Sequence, residues 1–227
     1  MKKYAFAFGL AVLAPAMSYA ASAVDWTSRV TLSAVGGHIM GKPAAPTKIV
    51  EYLSYTCSHC AHFTNEGAPQ LRDGWVKTGK ASVEVRNAVR DRYDLTAALL
   101  ARCGGPARFY GNHEALFANQ STWLPQVEAY ERANAAPPAS QGPSAILQDI
   151  GRKTGLYTLM GKRGFTARQL DACVADPSAM KTVTGMTNEA WNIAKISGTP
   201  GFTLNGKVLA GVSTWDALRA ALPGASN

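Results

Sequence analysis

The sequence has 227 residues, 47% of them hydrophobic and 17% charged, with a formal net charge of +8. That length fits one domain, or one domain carrying a large insertion, and the composition excludes a disordered or fibrous chain. The Lys and Arg residues are scattered, with no run of five, so the charge reads as solvated surface and no motif points to nucleic acid.

The first twenty residues stand apart. Lys2 and Lys3 precede an apolar stretch from Tyr4 to Ala14, Pro15 breaks it, and Ser18-Tyr19-Ala20 offers the small residues a signal peptidase needs. Residues 1–20 are therefore expected to be a cleaved export signal, with Ala21-Ser22-Ala23 as a second cut. No later stretch reaches the roughly 18 consecutive apolar residues of a membrane span. A periplasmic address is expected.

Val30 to Met40 reads as a short strand, and Gly41 to Pro46 as a turn. Lys48 to Tyr55 is β-branched and aromatic, an almost continuous apolar run that predicts a strand buried on both faces. A helix is expected from Ser58 to Lys77, disturbed near Gly67 to Pro69, and then a strand from Ala81 to Val89. Strand, helix, strand makes a parallel βαβ unit. From Leu95 to Trp191 the pattern turns helical: Thr96 to Arg102, Phe109 to Asn119, Ser144 to Thr154, Thr166 to Ala175 and Met180 to Ile196. Ala135 to Pro143 reads as a loop, Arg90-Asp91-Arg92 as a solvated one. Phe109, Phe117, Trp123, Met160, Met186 and Trp191 are expected in the core, although some could line a peptide groove. Phe202 to Leu204 and Lys207 to Ala210 flank Asn205-Gly206, a strong hairpin signal. Ser213 to Asp216 then opens a last helix, Ala217 to Leu222.

The four cysteines carry the chemistry. Cys57 and Cys60 are spaced to pair with each other, which leaves Cys103 and Cys173. A Cys103–Cys173 bridge suits an oxidising compartment; two separate buried thiols are the alternative. Structural zinc needs four ligands. Only one Cys-x-x-Cys exists, and His38 and His113 are isolated, so no metal is expected. A structural role for Cys57–Cys60 is disfavoured because so short a loop stabilises little. Cys57 falls at a strand-to-helix junction, where unpaired N–H groups and the helix dipole favour a thiolate. His59 could donate to the same sulfur. Cys60, one turn later, is expected to be more buried and to resolve the mixed disulfide. Glu51 is an acid in an otherwise apolar strand, which calls for a function or a partner, unless it lies at a solvated edge.

Two motifs lie in order: Tyr55-Thr56-Cys57-Ser58-His59-Cys60, and Gly198-Thr199-Pro200 before the Asn-Gly hairpin. With this order of elements the chain resembles the DsbA family of thiol:disulfide oxidoreductases, over essentially the whole of the exported part. The resemblance implies an α/β, thioredoxin-like fold (residues 24–94 and 192–227) with an inserted α-helical domain (95–191). It implies a dithiol oxidase that donates disulfides to unfolded or reduced exported proteins, needs no cofactor and is re-oxidised by a DsbB-like quinone-linked membrane protein; residues 24–47 are too few for the dimerisation domain that isomerases of this compartment usually add, so a monomer is expected. It also implies a cis Pro200 beside the cysteines, a Thr199 backbone that pairs with substrate, and a Glu51 that relays the Cys60 proton. Ser58 departs from the family, whose members often carry Pro there. A reductase or isomerase on the same fold, or a redox-inactive peptide-binding module, are the competing readings.

Overall fold

The expected single strand over Val30 to Met40 is instead a hairpin. Strands β1 (Val30–Leu32) and β2 (His38–Gly41) pair antiparallel, Val30 opposite Met40. The chain reverses at Gly36, whose φ of 87° lies in the left-handed region that side chains avoid. The structure, a computed structural model, describes residues 24–133 and 142–224. The expected export signal and most of the expected 135–143 loop lie outside them.

Strand β3 (Thr47–Leu53) is central: it runs parallel to β4 (Ala81–Asn87) and antiparallel to β5 (Gly201–Leu204). A short β6 (Lys207–Val208) closes the six-stranded sheet in the order β1-β2-β4-β3-β5-β6. It ends two residues before the sequence suggests. Between β3 and β4 the chain is helical from Ser58 to Val76. Helices α1 (Ser58–His62) and α2 (Ala68–Leu71) are each followed by a π turn, Phe63–Gly67 and Arg72–Val76. The disturbance expected at Gly67–Pro69 is this widening: Pro69 has no N–H for the ladder, and the Ala68 N–H reaches back to Phe63 O. Gly67 is also where Trp215 lands; a Cβ there would sit 2.7 Å from the Trp215 Cβ.

The helical block follows β4: α3 (Arg92–Ala101), α4 (Pro106–Ala118), α5 (Gln120–Ala133), α6 (Pro143–Lys153), α7 (Leu156–Lys162), α8 (Ala167–Ala175) and α9 (Pro177–Asn188), the last continued by a π turn over Glu189–Ile193. Helix α10 (Trp215–Ala221) ends the fold, capped by the Thr214 side chain. Helices α5 and α7 escaped the sequence reading. Pro125 lies inside α5 and reads as a break, yet Trp123, Val127 and Tyr130 recur at helical spacing and are all buried. Burial of that stripe outweighs the lost backbone bond. Of the expected core residues, Phe109, Phe117, Trp123, Met160 and Met186 are buried, whereas Trp191 is only partly so, packed on Tyr52, Ala88, Ala190 and Ile196.

Arg90-Asp91-Arg92 is not a free loop. Asp91 caps α3 by accepting from the N–H groups of Tyr93 and Asp94, and its other oxygen accepts from the Thr56 hydroxyl at 3.0 Å. His38 and His113 are buried and stack on either side of Phe109. Burial pushes both down to about 3, so they are neutral parts of the core. Cys103 and Cys173 are bonded to each other, tying the end of α3 to α8 across 70 residues.

Candidate active site

The largest apolar core holds Leu53, Tyr55, Cys57 and Cys60 together with the interior of the helical block. The strand-to-helix junction is thus where sheet and helices meet. Cys57 takes the position before α1, with φ −92° and ψ 120°, the extended conformation of a helix cap. Its N–H donates to Ser54 O at 3.2 Å, and its carbonyl accepts from the Ala61 N–H at 3.2 Å. The two cysteines are free thiols in this structure. Ser58 and His59 between them are exposed, while Cys60 is fully buried.

The two sulfurs differ sharply. Cys57 is lowered to about 4, first by the hydrogen bond with the Cys60 thiol, then by the Thr199 side chain and the N–H groups of Cys60 and His59, against the cost of burial. Cys60 is pushed well up, first by burial, then by its bond to Cys57 and the nearby Cys57 and Glu51 charges. What the structure records from His59 at this sulfur is its backbone N–H. The reduced pair therefore holds one ready thiolate and one reluctant thiol. Iodoacetamide should accordingly modify Cys57 in the reduced protein at pH 5 while leaving Cys60 untouched, read by peptide mass mapping. Equal labelling of both would contradict this electrostatic asymmetry.

Pro200 follows a cis peptide bond, and the Thr199 carbonyl accepts from the Cys57 thiol at 3.1 Å, which brings the two distant motifs together. A groove of about 240 Å³ opens along Ile196 to Phe202, against Val208, Leu209 and Gly211 to Ser213. Glu51 lies mid-strand in β3, between Val85 and Phe202, only 3% exposed. Burial raises it to about 8, and its Oε1 has no hydrogen-bond partner. It is no solvated edge residue. Among the described residues no group of three His, Cys, Asp or Glu could hold a metal ion, and no helix is long and apolar enough to cross a membrane.

The sequence profile described as thioredoxin matches residues 33–223. The chain belongs to the thioredoxin family. Within it, the crystal structure of a protein-disulfide isomerase from Novosphingobium aromaticivorans is 36% identical, with a TM-score of 0.77, covering 82% of this chain and 94% of that one. The α-DsbA1 of Wolbachia pipientis shares the fold, with a TM-score of 0.60 at 21% identity over 84% of this chain and 90% of that one. A Rickettsia bellii protein, whose name provisionally makes it a protein-disulfide oxidoreductase, is 27% identical over 169 residues, 74% of this chain. The match covers 56% of that relative, so the chain spans about half the length of the curated relatives it matches.

In this thioredoxin-family chain, several residues to which the sequence assigns no role at the site surround the cysteines. Ser54, Thr56, Arg90 and Asp91 form one hydrogen-bonded cluster beneath the junction, Arg90 reaching both hydroxyls at 3.0 and 3.1 Å. Buried Asp94 accepts from the N–H groups of Tyr55 and Arg90. Gln120, at the start of α5, donates to the carbonyls of Tyr55 and Cys57. A lone Asp or Gln in an unassigned stretch carries no local signal; only the fold shows what each one meets.

Proposed function

We propose that this chain is a DsbA-type thiol–disulfide oxidoreductase whose Cys57–Cys60 couple donates disulfides to reduced proteins exported to the periplasm. The observation that carries the reading is the stabilised Cys57 sulfur beside a buried, reluctant Cys60. In the donating direction, a substrate thiolate attacks Cys57 of the oxidised pair, the Cys57–Cys60 bond breaks, and Cys60 leaves as a thiolate. Neutral Glu51 supplies the proton that Cys60 needs. A second substrate thiolate then attacks its own mixed-disulfide sulfur and expels Cys57, so two electrons pass from substrate to the couple. Expulsion is easy because the leaving thiolate is stable, and that same stability makes the disulfide oxidising. The backbone at Thr199 and Pro200 lies where an extended substrate would be held against Cys57, as an added strand. The remaining parts of the proposal are a thioredoxin-like unit of residues 24–94 and 192–227, a helical insertion over 95–191, a monomeric working form, and re-oxidation by a DsbB-like quinone-linked membrane protein.

The test is the equilibrium potential of the Cys57–Cys60 couple in glutathione buffers. A value of roughly −150 mV or above is expected for a disulfide donor. A value of roughly −250 mV or below would make the protein a reductase and remove the proposed direction, leaving the family assignment intact.

A further inference from the structure

The N–H groups of Cys60 and His59 are among the donors that stabilise the Cys57 sulfur, so its chemistry depends in part on how the peptide planes around it are turned. The Gln120 side chain is buried, and its Nε2 donates to Tyr55 O at 2.8 Å and to Cys57 O at 3.0 Å. Both partners are carbonyls, which fixes the nitrogen of the amide as the atom facing them. These carbonyls belong to the peptide planes on either side of the Thr56–Cys57 link. Gln120 itself sits on a braced turn: Asn119 O accepts from the N–H groups of Thr122 and Trp123, and the buried Trp123 indole donates to Leu116 O at 2.9 Å.

We propose that Gln120 is a positioning residue for the Cys57 nucleophile: its amide, held by the helical block, clamps the peptide planes before and after Cys57 and so fixes where its sulfur stands relative to the His59 and Cys60 N–H groups. This inference rests on the redox reading above. Two effects act in one direction. Without the clamp the planes can turn, and the sulfur loses its place beside the N–H groups. Without the donor, the negative ends of two carbonyls beside the sulfur go uncompensated, which disfavours the thiolate.

The experiment compares Q120M, which keeps the size but loses the donor, with V127A, which weakens packing in the same helix α5 without touching the junction. The thiolate of the reduced protein is followed by its 240 nm absorbance against pH, and the potential is measured in glutathione buffers. Q120M should raise the Cys57 midpoint by about half to one unit. It should make the couple more reducing, by about 30 mV for each unit that the midpoint rises. V127A should lower stability and leave the midpoint where it is. Q120N, whose amide is one methylene short, should move the midpoint in the same direction and serves if Q120M does not fold. An unmoved midpoint in the Gln120 variants, or an equal shift in V127A, overturns the proposal. Failure of the redox reading would show separately, as a reducing potential in the parent protein, with the Q120M shift still readable.

Discussion

The stability of a Glu51→Gln variant relative to the parent should be about 3 kcal/mol higher at pH 7 than at pH 4.5. Burial raises the folded-state value to about 8 from an ordinary 4.5, so between those limits the folded protein holds a proton that the unfolded chain has lost. Stability therefore falls as pH rises through that window, by about 1.4 kcal/mol per unit, and the full benefit of the acid form exists only below 4.5. Gln cannot ionise in the unfolded chain, and that slope disappears. The Oε1 atom already lacks a partner, so the amide oxygen strands no additional acceptor, while the amide's second N–H, one donor more than the acid carries, lowers the variant equally at every pH and leaves the slope unaffected. Asp94, pushed up to about 7 by burial, tilts the parent curve the same way. The quantity to measure is thus the difference between parent and variant in urea unfolding from pH 4 to 8, where Asp94 cancels. A flat difference would mean that Glu51 is solvated or paired. The relative gain in stability with pH should come with a loss of function: at pH 7 the variant has no proton to give Cys60, and insulin disulfide exchange should slow. A relative stability that rises with pH while function is lost is the signature of a strained functional group rather than a packing defect.

The parts of this molecule legible in the sequence are those with a local cause. The β3 strand, the Asn205-Gly206 turn and the helix beginning at Cys57 follow from periodicity and turn chemistry, and the π turn that precedes Pro69 follows from a missing N–H. Glu51 was legible because an acid amid Ile49, Val50, Tyr52 and Leu53 has few cheap explanations. Helix α5 was not, because Pro125 argues locally against a helix that only tertiary burial of Trp123, Val127 and Tyr130 sustains. Gln120 and Asp94 were hidden for the same reason. Their partners are backbone atoms about 65 and 39 residues away, and backbone atoms leave no trace in a sequence. The Arg90-Asp91-Arg92 segment looked like ordinary solvated charge; its hydrogen bonds to Ser54 and Thr56 depend on α3 beginning where it does.

Removing the second disulfide should cost about as much as truncating a large buried core side chain. With Cys103 and Cys173 both changed to Ala, the unfolding free energy should drop by about 4 kcal/mol, because the bridge closes a loop of 70 residues that the unfolded chain then regains. For a chain of this size that is a fall in Tm of about 10 °C. Alanine is the right replacement, since Cys103 is buried and a hydroxyl there would need a partner. The closed loop contains α4 to α7, including Gln120, so the penalty falls on the block that braces the junction rather than on the sheet. At 25 °C the folded variant should nevertheless keep the parent potential, because neither sulfur touches Cys57 or Cys60. A loss below about 1 kcal/mol would show that the unfolded block stays compact without the bridge and would refute the loop-entropy account. The opposite sign is expected for the Cys57–Cys60 bridge. Opening it releases little loop entropy and creates a thiolate stabilised by Cys60, Thr199 and the helix N–H groups, so the reduced protein should unfold at higher urea than the oxidised one. Two bridges in one chain would then act in opposite senses, the long one holding the helices in place and the short one favouring its own transfer to substrate.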